Sequence, residues 1–136
     1  MAKLSYVIYT CDSGSILPEL QRHDEITIRR GQVELRRSGK TPDTRVRAGR
    51  WQLAADQAAL RALFAQLESV DCSKLRRVEP LDAPDGGHTT SCTLVYAGGK
   101  TCELVYTPGV TYTGSEAVTG PVEAFLRGLK LPPEME

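Results

Sequence analysis

The sequence is poor in aromatic side chains, in histidine and in long apolar runs. Aromatic residues make up 6% of its 136 residues, and there are two histidines. No stretch approaches the roughly 20 consecutive apolar residues that a membrane-spanning helix needs. The 17 basic and 17 acidic side chains cancel, so no overall field draws the chain to nucleic acid or to an anionic membrane. We therefore expect a soluble cytoplasmic protein, with an exported or lipoprotein origin as the alternative if a leader was removed.

The motifs of the common catalytic and metal sites are also missing. There is no C-x-x-C pair and no close pair of histidines, which the strong zinc signatures require. Neither the G-x-S-x-G serine elbow nor a glycine-rich phosphate loop occurs. We therefore assign no catalytic residue, no metal site and no cofactor from the sequence.

What is present is the composition of one ordinary globular domain, 40% hydrophobic and 25% charged, spanning residues 1–136. Apolar residues alternate with polar ones where we predict strands, and repeat at helical spacing where we predict helices. The order strands, helix, strands, helix predicts an α+β fold, with two helices packed on one face of a mainly antiparallel sheet. The predicted strands cover residues 4–10, 25–37, 45–53 and 91–107, and the predicted helices cover residues 56–70 and 121–131.

Two of the strand regions are predicted hairpins. In the first, Gly31 is placed in the turn at positive φ, the apolar residues face the core, and the arginines face water. In the second, a three-residue turn over residues 98–100 keeps both apolar sets on one face.

The remaining segments are predicted to be irregular. Residues 16–23 suit a loop or an edge segment, and residues 71–88 and 108–120 suit long connections. Pro121 is expected in the first turn of the closing helix, and the tail beyond it is expected to fray.

Four cysteines occur at wide spacing, which predicts free thiols in a reduced protein. On the predicted register, Cys92 and Cys102 share a face but lie two pairs apart, too far for a mutual disulfide. Cys11 and Cys72 remain possible partners for each other, since each follows a regular element.

Basic residues concentrate in one stretch. Between positions 26 and 53 there are eight basic side chains and two acidic ones. This predicts either a nucleic-acid surface or, more simply, a solvated sheet face. Nucleic acid is the less favoured partner, because no exposed aromatics interleave with the charges. The basic patch comprises Arg29, Arg30, Arg36, Arg37, Arg45, Arg47 and Arg50.

The layout resembles that of emfourin, a small protein inhibitor of thermolysin-like metalloproteases, and of related bacterial domains, some of them in lipoproteins. The resemblance covers the segments LSYVIYT, EITIRRGQVELRR, WQLAADQAALRALFAQLE and GPVEAFLRGL. Emfourin has a glycine-rich turn after its first strand, where this chain has CDSGSILPEL with one glycine. The resemblance implies a non-enzymatic binding module whose partner is a protease.

Two loops are the predicted contact surfaces. They would carry Cys11, Asp12, Ser13, Gly14, Ser15, Pro18, Asp82, Asp85 and His88. A rival hypothesis is a thiol enzyme or redox protein that uses Cys11. It would need a histidine, either His23 or His88, or a positive helix end to lower the pKa of the thiol.

Overall fold

A six-stranded antiparallel sheet forms the centre of the computed structural model, which describes residues 3–14, 16–82 and 87–135. In chain order the elements are β1 (Leu4–Asp12), β2 (Arg22–Arg29), β3 (Val33–Gly39), β4 (Gly49–Leu53), α1 (Gln57–Glu68), β5 (Arg76–Val78), β6 (Thr89–Tyr96), β7 (Thr101–Tyr106), β8 (Thr111–Thr113) and α2 (Glu116–Arg127). The sheet has the order β4-β3-β2-β1-β6-β7, and β5 pairs with β8 separately. The first strand therefore lies between the two hairpins.

Both helices bury their apolar sides against one face of the sheet, which confirms the predicted α+β arrangement. The other face of the sheet carries the alternate, more polar residues of each strand. Antiparallel sheets commonly divide in this way, because successive side chains point to opposite faces. The core consists mainly of Val7, Ile28, Val33, Leu35, Leu94 and Leu104 from the sheet, and of Leu60, Leu63, Phe64, Leu67, Val118 and Val122 from the helices.

The first helix follows the predicted pattern closely. Leu60, Phe64 and Leu67 are buried at helical spacing. The Asp56 carboxylate accepts a hydrogen bond from the Ala58 N–H at 3.1 Å, so Asp56 caps the helix.

The second helix begins five residues earlier than predicted, at Glu116. Pro121 therefore lies inside the helix and removes one backbone hydrogen bond there. Val118 and Val122, one turn apart, are fully buried. Their burial offsets the cost of the interrupted helix. The prediction placed the start of the helix at Pro121 because proline is favoured in the first turn, and so it missed the turn before Pro121.

Short regular elements also occupy the segments predicted to be irregular. The connection after α1 contains a 3₁₀ turn at Cys72–Lys74 and the strand β5, and the connection before α2 contains β8. Residues 16–23 contain a 3₁₀ turn at Pro18–Leu20 and the start of β2.

The two hairpin turns differ from the predicted ones in detail. Leu94 pairs with Cys102 and Cys92 with Leu104, so the three-residue turn covers residues 97–99, one position earlier than predicted. Both apolar sets still share the inner face. In the first hairpin, Gly31 does not adopt positive φ.

A disulfide joins Cys72 to Cys102, with the two Cα atoms 6.0 Å apart. The prediction that Cys92 and Cys102 are not bonded to each other is confirmed. The prediction of four free thiols is wrong, since two of the four cysteines, Cys11 and Cys92, are free. The pairing of Cys11 with Cys72, which the sequence left open, does not occur. Sequence could not reveal the Cys72–Cys102 pair, because it depends on where the segment after α1 meets the sheet.

Candidate functional site

The two loops predicted as contact surfaces meet at one end of the sheet. This loop end is where β1, β3 and β7 finish and where β2 and β6 begin. Gly14, at φ 75°, lies so close to Gly87 that an added Cβ would overlap the Gly87 carbonyl oxygen. The sequence predicted both loops, and the antiparallel pairing of β1 with β6 explains why they converge.

The Asp12 carboxylate holds the loop end together. It accepts hydrogen bonds from Lys40 and from the Gly14 N–H at 3.1 Å, and it lies 3.2 Å from His23 Nδ1. Burial raises the pKa of Asp12, but these three partners outweigh burial, and the net effect is a lowered pKa. Asp12 is therefore a structural anchor for the loop.

The loop after β1 is pinned at both ends. The Ser13 N–H donates to the Arg22 carbonyl at 3.0 Å, and the Arg22 N–H donates to Ser13 Oγ at 2.8 Å. The Glu19 carbonyl at the far side accepts from the Arg45 N–H at 2.8 Å. Pro18 begins the 3₁₀ turn, where its fixed φ suits the first helical position.

Between these fixed points the loops present apolar side chains to solvent. Ile16 and Leu17 are 46% and 61% exposed, and Leu81 in the other connection is fully exposed. None of the three was predicted as a contact residue. For Ile16 and Leu17, the sequence offered one indication. They are adjacent apolar residues directly before Pro18, in a segment whose apolar residues follow neither strand nor helix spacing.

The other predicted loop residues divide into two groups. Asp82 and His88 are exposed, and the His88 backbone follows directly on the glycine that meets Gly14. Ser15 and Asp85 lie outside the described residues.

Cys11 lies on the inner face of the sheet, opposite Asp24, and is half-buried. Burial raises the pKa of its thiol, and the nearby Arg22 only partly opposes this. His23 pairs with Asp12, one position along the strand, and therefore faces the other side of the sheet. An activated thiolate needs a lowered pKa, so this environment does not favour Cys11 as a nucleophile.

The predicted basic patch is divided between two faces of the molecule. Arg36 and Arg50 lie opposite each other on neighbouring strands, on the outer face of the sheet, and both are exposed. The Arg29 guanidinium stacks over the Tyr6 ring, 4.8 Å from its centroid. Arg30 instead stacks over Phe64 and binds Glu68 at 3.0 Å. Arg29, Arg36 and Arg50 therefore share the outer face of the sheet, whereas Arg30 contacts α1.

Arg37 is buried, which corrects the prediction that the hairpin arginines face water. It alternates with Val33 and Leu35 and so points to the inner face. Its guanidinium donates to the Asp24 carboxylate at 2.8 Å and to the carbonyls of Pro132 and Pro133 at 3.2 and 2.8 Å.

The C-terminal segment is therefore docked, although it was predicted to fray. Glu134 binds Arg22 through two hydrogen bonds of 2.9 Å, and its carbonyl accepts from the Arg47 N–H at 2.9 Å. Met135 forms a β-bridge with Val46. This segment fixes residues 45–47, which in turn hold the loop after β1 through the Glu19 carbonyl.

The described ranges contain no group of three or more metal-ligating side chains. No helix within them is long and apolar enough to cross a membrane. No protein-family model, no curated protein and no solved structure matches the chain.

Proposed function

We propose that the chain is a non-enzymatic protein-binding module whose loop end docks on a protein partner. A thermolysin-like metalloprotease is the partner class that the emfourin-like layout favours, and inhibition is the expected consequence of docking. The observation that carries this proposal is the meeting of Gly14 with Gly87, because it joins two separate loops into one surface.

The fixed geometry of the first loop supports the proposal. Before residues 16 and 17, the Asp12 carboxylate accepts from the Gly14 N–H and Ser13 Oγ accepts from the Arg22 N–H. After them, the Arg45 N–H donates to the Glu19 carbonyl. A loop already held in one conformation loses less entropy on binding, and this saving appears directly as affinity. Inhibitory loops that bind with little backbone change are of this kind.

The exposed apolar side chains supply the contacts. Leu17 and Ile16 protrude from the fixed loop. Binding energy at protein interfaces is concentrated in a few side chains that enter pockets of the partner, within a less important surrounding rim. Leu17, the more exposed of the pair, is the expected anchor.

An inhibition titration against a thermolysin-like metalloprotease tests this proposal, with a pull-down to recover other partners. Wild-type protein should inhibit, and Leu17→Asp should weaken inhibition at least tenfold, a loss of about 1.4 kcal/mol or more. Leu131→Asp is the matched control, since Leu131 is also exposed, at 47%, but lies outside the loops. Absence of inhibition by the wild type would refute the inhibitor form, and absence of any recovered partner would refute protein binding.

A further inference from the structure

The segment that follows α1 is attached to the sheet with few buried side chains. This latch segment comprises residues 72–78, which include the 3₁₀ turn at Cys72–Lys74 and the strand β5. The turn has no buried residue and all three residues of β5 are exposed, while Cys72 and Leu75 are partly buried. β5 pairs with β8 in a ribbon of three residue pairs. Because isolated two-stranded ribbons are at best marginally stable, the latch segment depends on further contacts.

Two such contacts join the latch segment to β7, one near each end. Near the start, the disulfide links Cys72 to Cys102. Near the end, Arg77 faces Tyr112 across the ribbon, and the Arg77 guanidinium donates to the Val105 carbonyl at 3.1 Å. The Tyr112 hydroxyl accepts from the Val105 N–H and from Arg77, each at 3.1 Å. One covalent bond and one polar cluster therefore fix the latch segment to β7.

The latch segment covers part of an open sheet edge. β7 is the last strand of the six, with a neighbouring strand on one side. Residues of an antiparallel strand direct their N–H and C=O groups alternately to its two sides. The bonds at Val105 lead away from β6, so Val105, Glu103 and Thr101 direct these groups to the open edge. The two Val105 groups that Tyr112 and Arg77 bind are those that an added strand would use.

The disulfide is accessible from one side. Cys102 is buried, whereas Cys72 is partly exposed and lines a surface cavity of about 280 Å³. The thiolate of a reductant can therefore attack Cys72 Sγ, with the Cys102 sulfur as the leaving group. Access to one of the two sulfurs is a requirement of thiol–disulfide exchange, and exposed disulfides are the more labile ones.

We propose that Cys72–Cys102 is a redox latch, which a dithiol reductant opens. A thiolate of the reductant attacks Cys72 Sγ, the S–S bond breaks, and its electron pair passes to Cys102 Sγ, which takes up a proton. The second thiolate of the reductant then displaces Cys72, so the protein gains two thiols and the reductant becomes a disulfide.

Opening the latch changes the edge of β7. Once the covalent bond is gone, Arg77, Tyr112 and a marginal ribbon hold the latch segment, and it leaves the sheet. The N–H and C=O of Val105 then join those of Glu103 and Thr101 as free edge groups. The switch does not depend on protease inhibition, because it lies at the opposite end of the sheet from the Gly14–Gly87 surface.

Reduction of the folded full chain by dithiothreitol at neutral pH tests access to the bond, with alkylation and mass spectrometry to count the thiols. The rate should rise in proportion to the dithiothreitol concentration. It should change by less than about twofold in urea at about 1 M, below the unfolding transition. If reduction required global unfolding, this urea concentration would raise the rate at least about fivefold. Such a rise, or no reduction without denaturant, would overturn the proposal.

Amide ¹⁵N relaxation of the oxidised and reduced protein tests whether the latch segment is released. In the oxidised protein, residues 73–78 should have order parameters of about 0.85, like those of α1. In the reduced protein they should fall below about 0.6, while α1 and β1 keep their values. Unchanged order parameters would show a purely structural bond, and loss of dispersed signals throughout the chain would show unfolding. Either result would contradict a local latch.

Two variants assign the effect to this bond. The double variant Cys72→Ala with Cys102→Ala should show the low order parameters of the reduced state with or without dithiothreitol. Cys11→Ser, the matched control, keeps the disulfide and should respond to dithiothreitol like wild type. A rigid latch segment in the double variant, or a Cys11→Ser protein that no longer responds, would overturn the assignment.

Discussion

The two ends of the six-stranded sheet are held in different ways. At the turn end, short local turns close both hairpins, and a disulfide and the Glu68 carboxylate secure the adjoining segments. At the loop end, segments distant in sequence meet through charged hydrogen bonds centred on Asp12 and Arg37. The turn end thus depends on local geometry and one covalent link. The loop end depends on long-range polar contacts, which can hold a binding surface in a defined shape.

The largest effect should come from the disulfide at the turn end. Reduction of Cys72–Cys102 should destabilise the fold by about 3.5 kcal/mol, from the 30-residue separation that it closes. Thermal unfolding with and without a phosphine reductant would show a fall in midpoint of about 10 °C. Titration of the unfolded, unreduced protein should find two free thiols. Four would show that the link is absent from the protein.

The disulfide also allows the two ends to be separated. In the double variant Cys72→Ala with Cys102→Ala, reductant should have no further effect on stability. Partner binding at the loop end should persist in this variant wherever it is folded. A parallel loss of binding would show that the two ends are not independent.

The next effect in size is at the loop end, where Arg37→Ala should cost about 3 kcal/mol. The change leaves the Asp24 carboxylate with fewer partners and releases the carbonyls of Pro132 and Pro133. Arg36→Ala, one residue earlier and exposed, should change the free energy of unfolding by less than about 0.5 kcal/mol. Denaturant unfolding of the two variants compares them directly, and equal costs would contradict the burial of Arg37.

A glycine at each end gives a closer comparison. Gly14 and Gly99 both have positive φ, but an added Cβ meets Gly87 in one case and nothing in the other. Gly14→Ala should cost about 2–3 kcal/mol through strain and overlap together, and Gly99→Ala about 1 kcal/mol through strain alone. Denaturant midpoints measure the difference, and similar costs would mean that the two loops are not in contact.

The smallest effect should depend on pH. The folded protein holds the pKa of the Asp12 carboxyl below its usual value. The ionised carboxylate therefore stabilises the fold fully at pH values above the pKa that Asp12 has in the unfolded chain. This stabilisation is lost as the pH falls through the lower pKa that Asp12 has in the folded protein. Asp12→Asn should therefore be about 1 kcal/mol less stable than wild type at neutral pH, and the gap should close below about pH 4. A gap that does not vary with pH would exclude this carboxylate as the anchor.

Much of the fold was predictable because periodicity records burial. The stripe of Leu60, Phe64 and Leu67 and the alternation in both hairpins identified α1 and the inner face of the sheet. The same alternation also placed Arg37 beside Val33 and Leu35, but the preference of arginine for water outweighed that signal. Its partners explain the burial: they are the Asp24 carboxylate in the neighbouring strand and two carbonyl groups of the C-terminal segment, about 95 residues away.

The candidate site was predictable in part. Both loops were identified from their composition, but their contact depends on strand order, which places the end of β1 beside the start of β6. The spacing of residues along the sequence does not show which strands are neighbours in the sheet. The disulfide and the docking of Glu134 were missed for the same reason, since each joins segments whose positions only the folded chain defines.

The most direct test of the central claim is an inhibition titration of a thermolysin-like metalloprotease with wild type, Gly14→Ala and Gly99→Ala, each confirmed as folded by circular dichroism. If the joined loops form the docking surface, wild type and Gly99→Ala should inhibit alike. Gly14→Ala should be at least tenfold weaker, a difference of about 1.4 kcal/mol or more. Equal inhibition by all three proteins would contradict the claim that the meeting of Gly14 with Gly87 builds the surface, and no inhibition by wild type would contradict the proposed function itself.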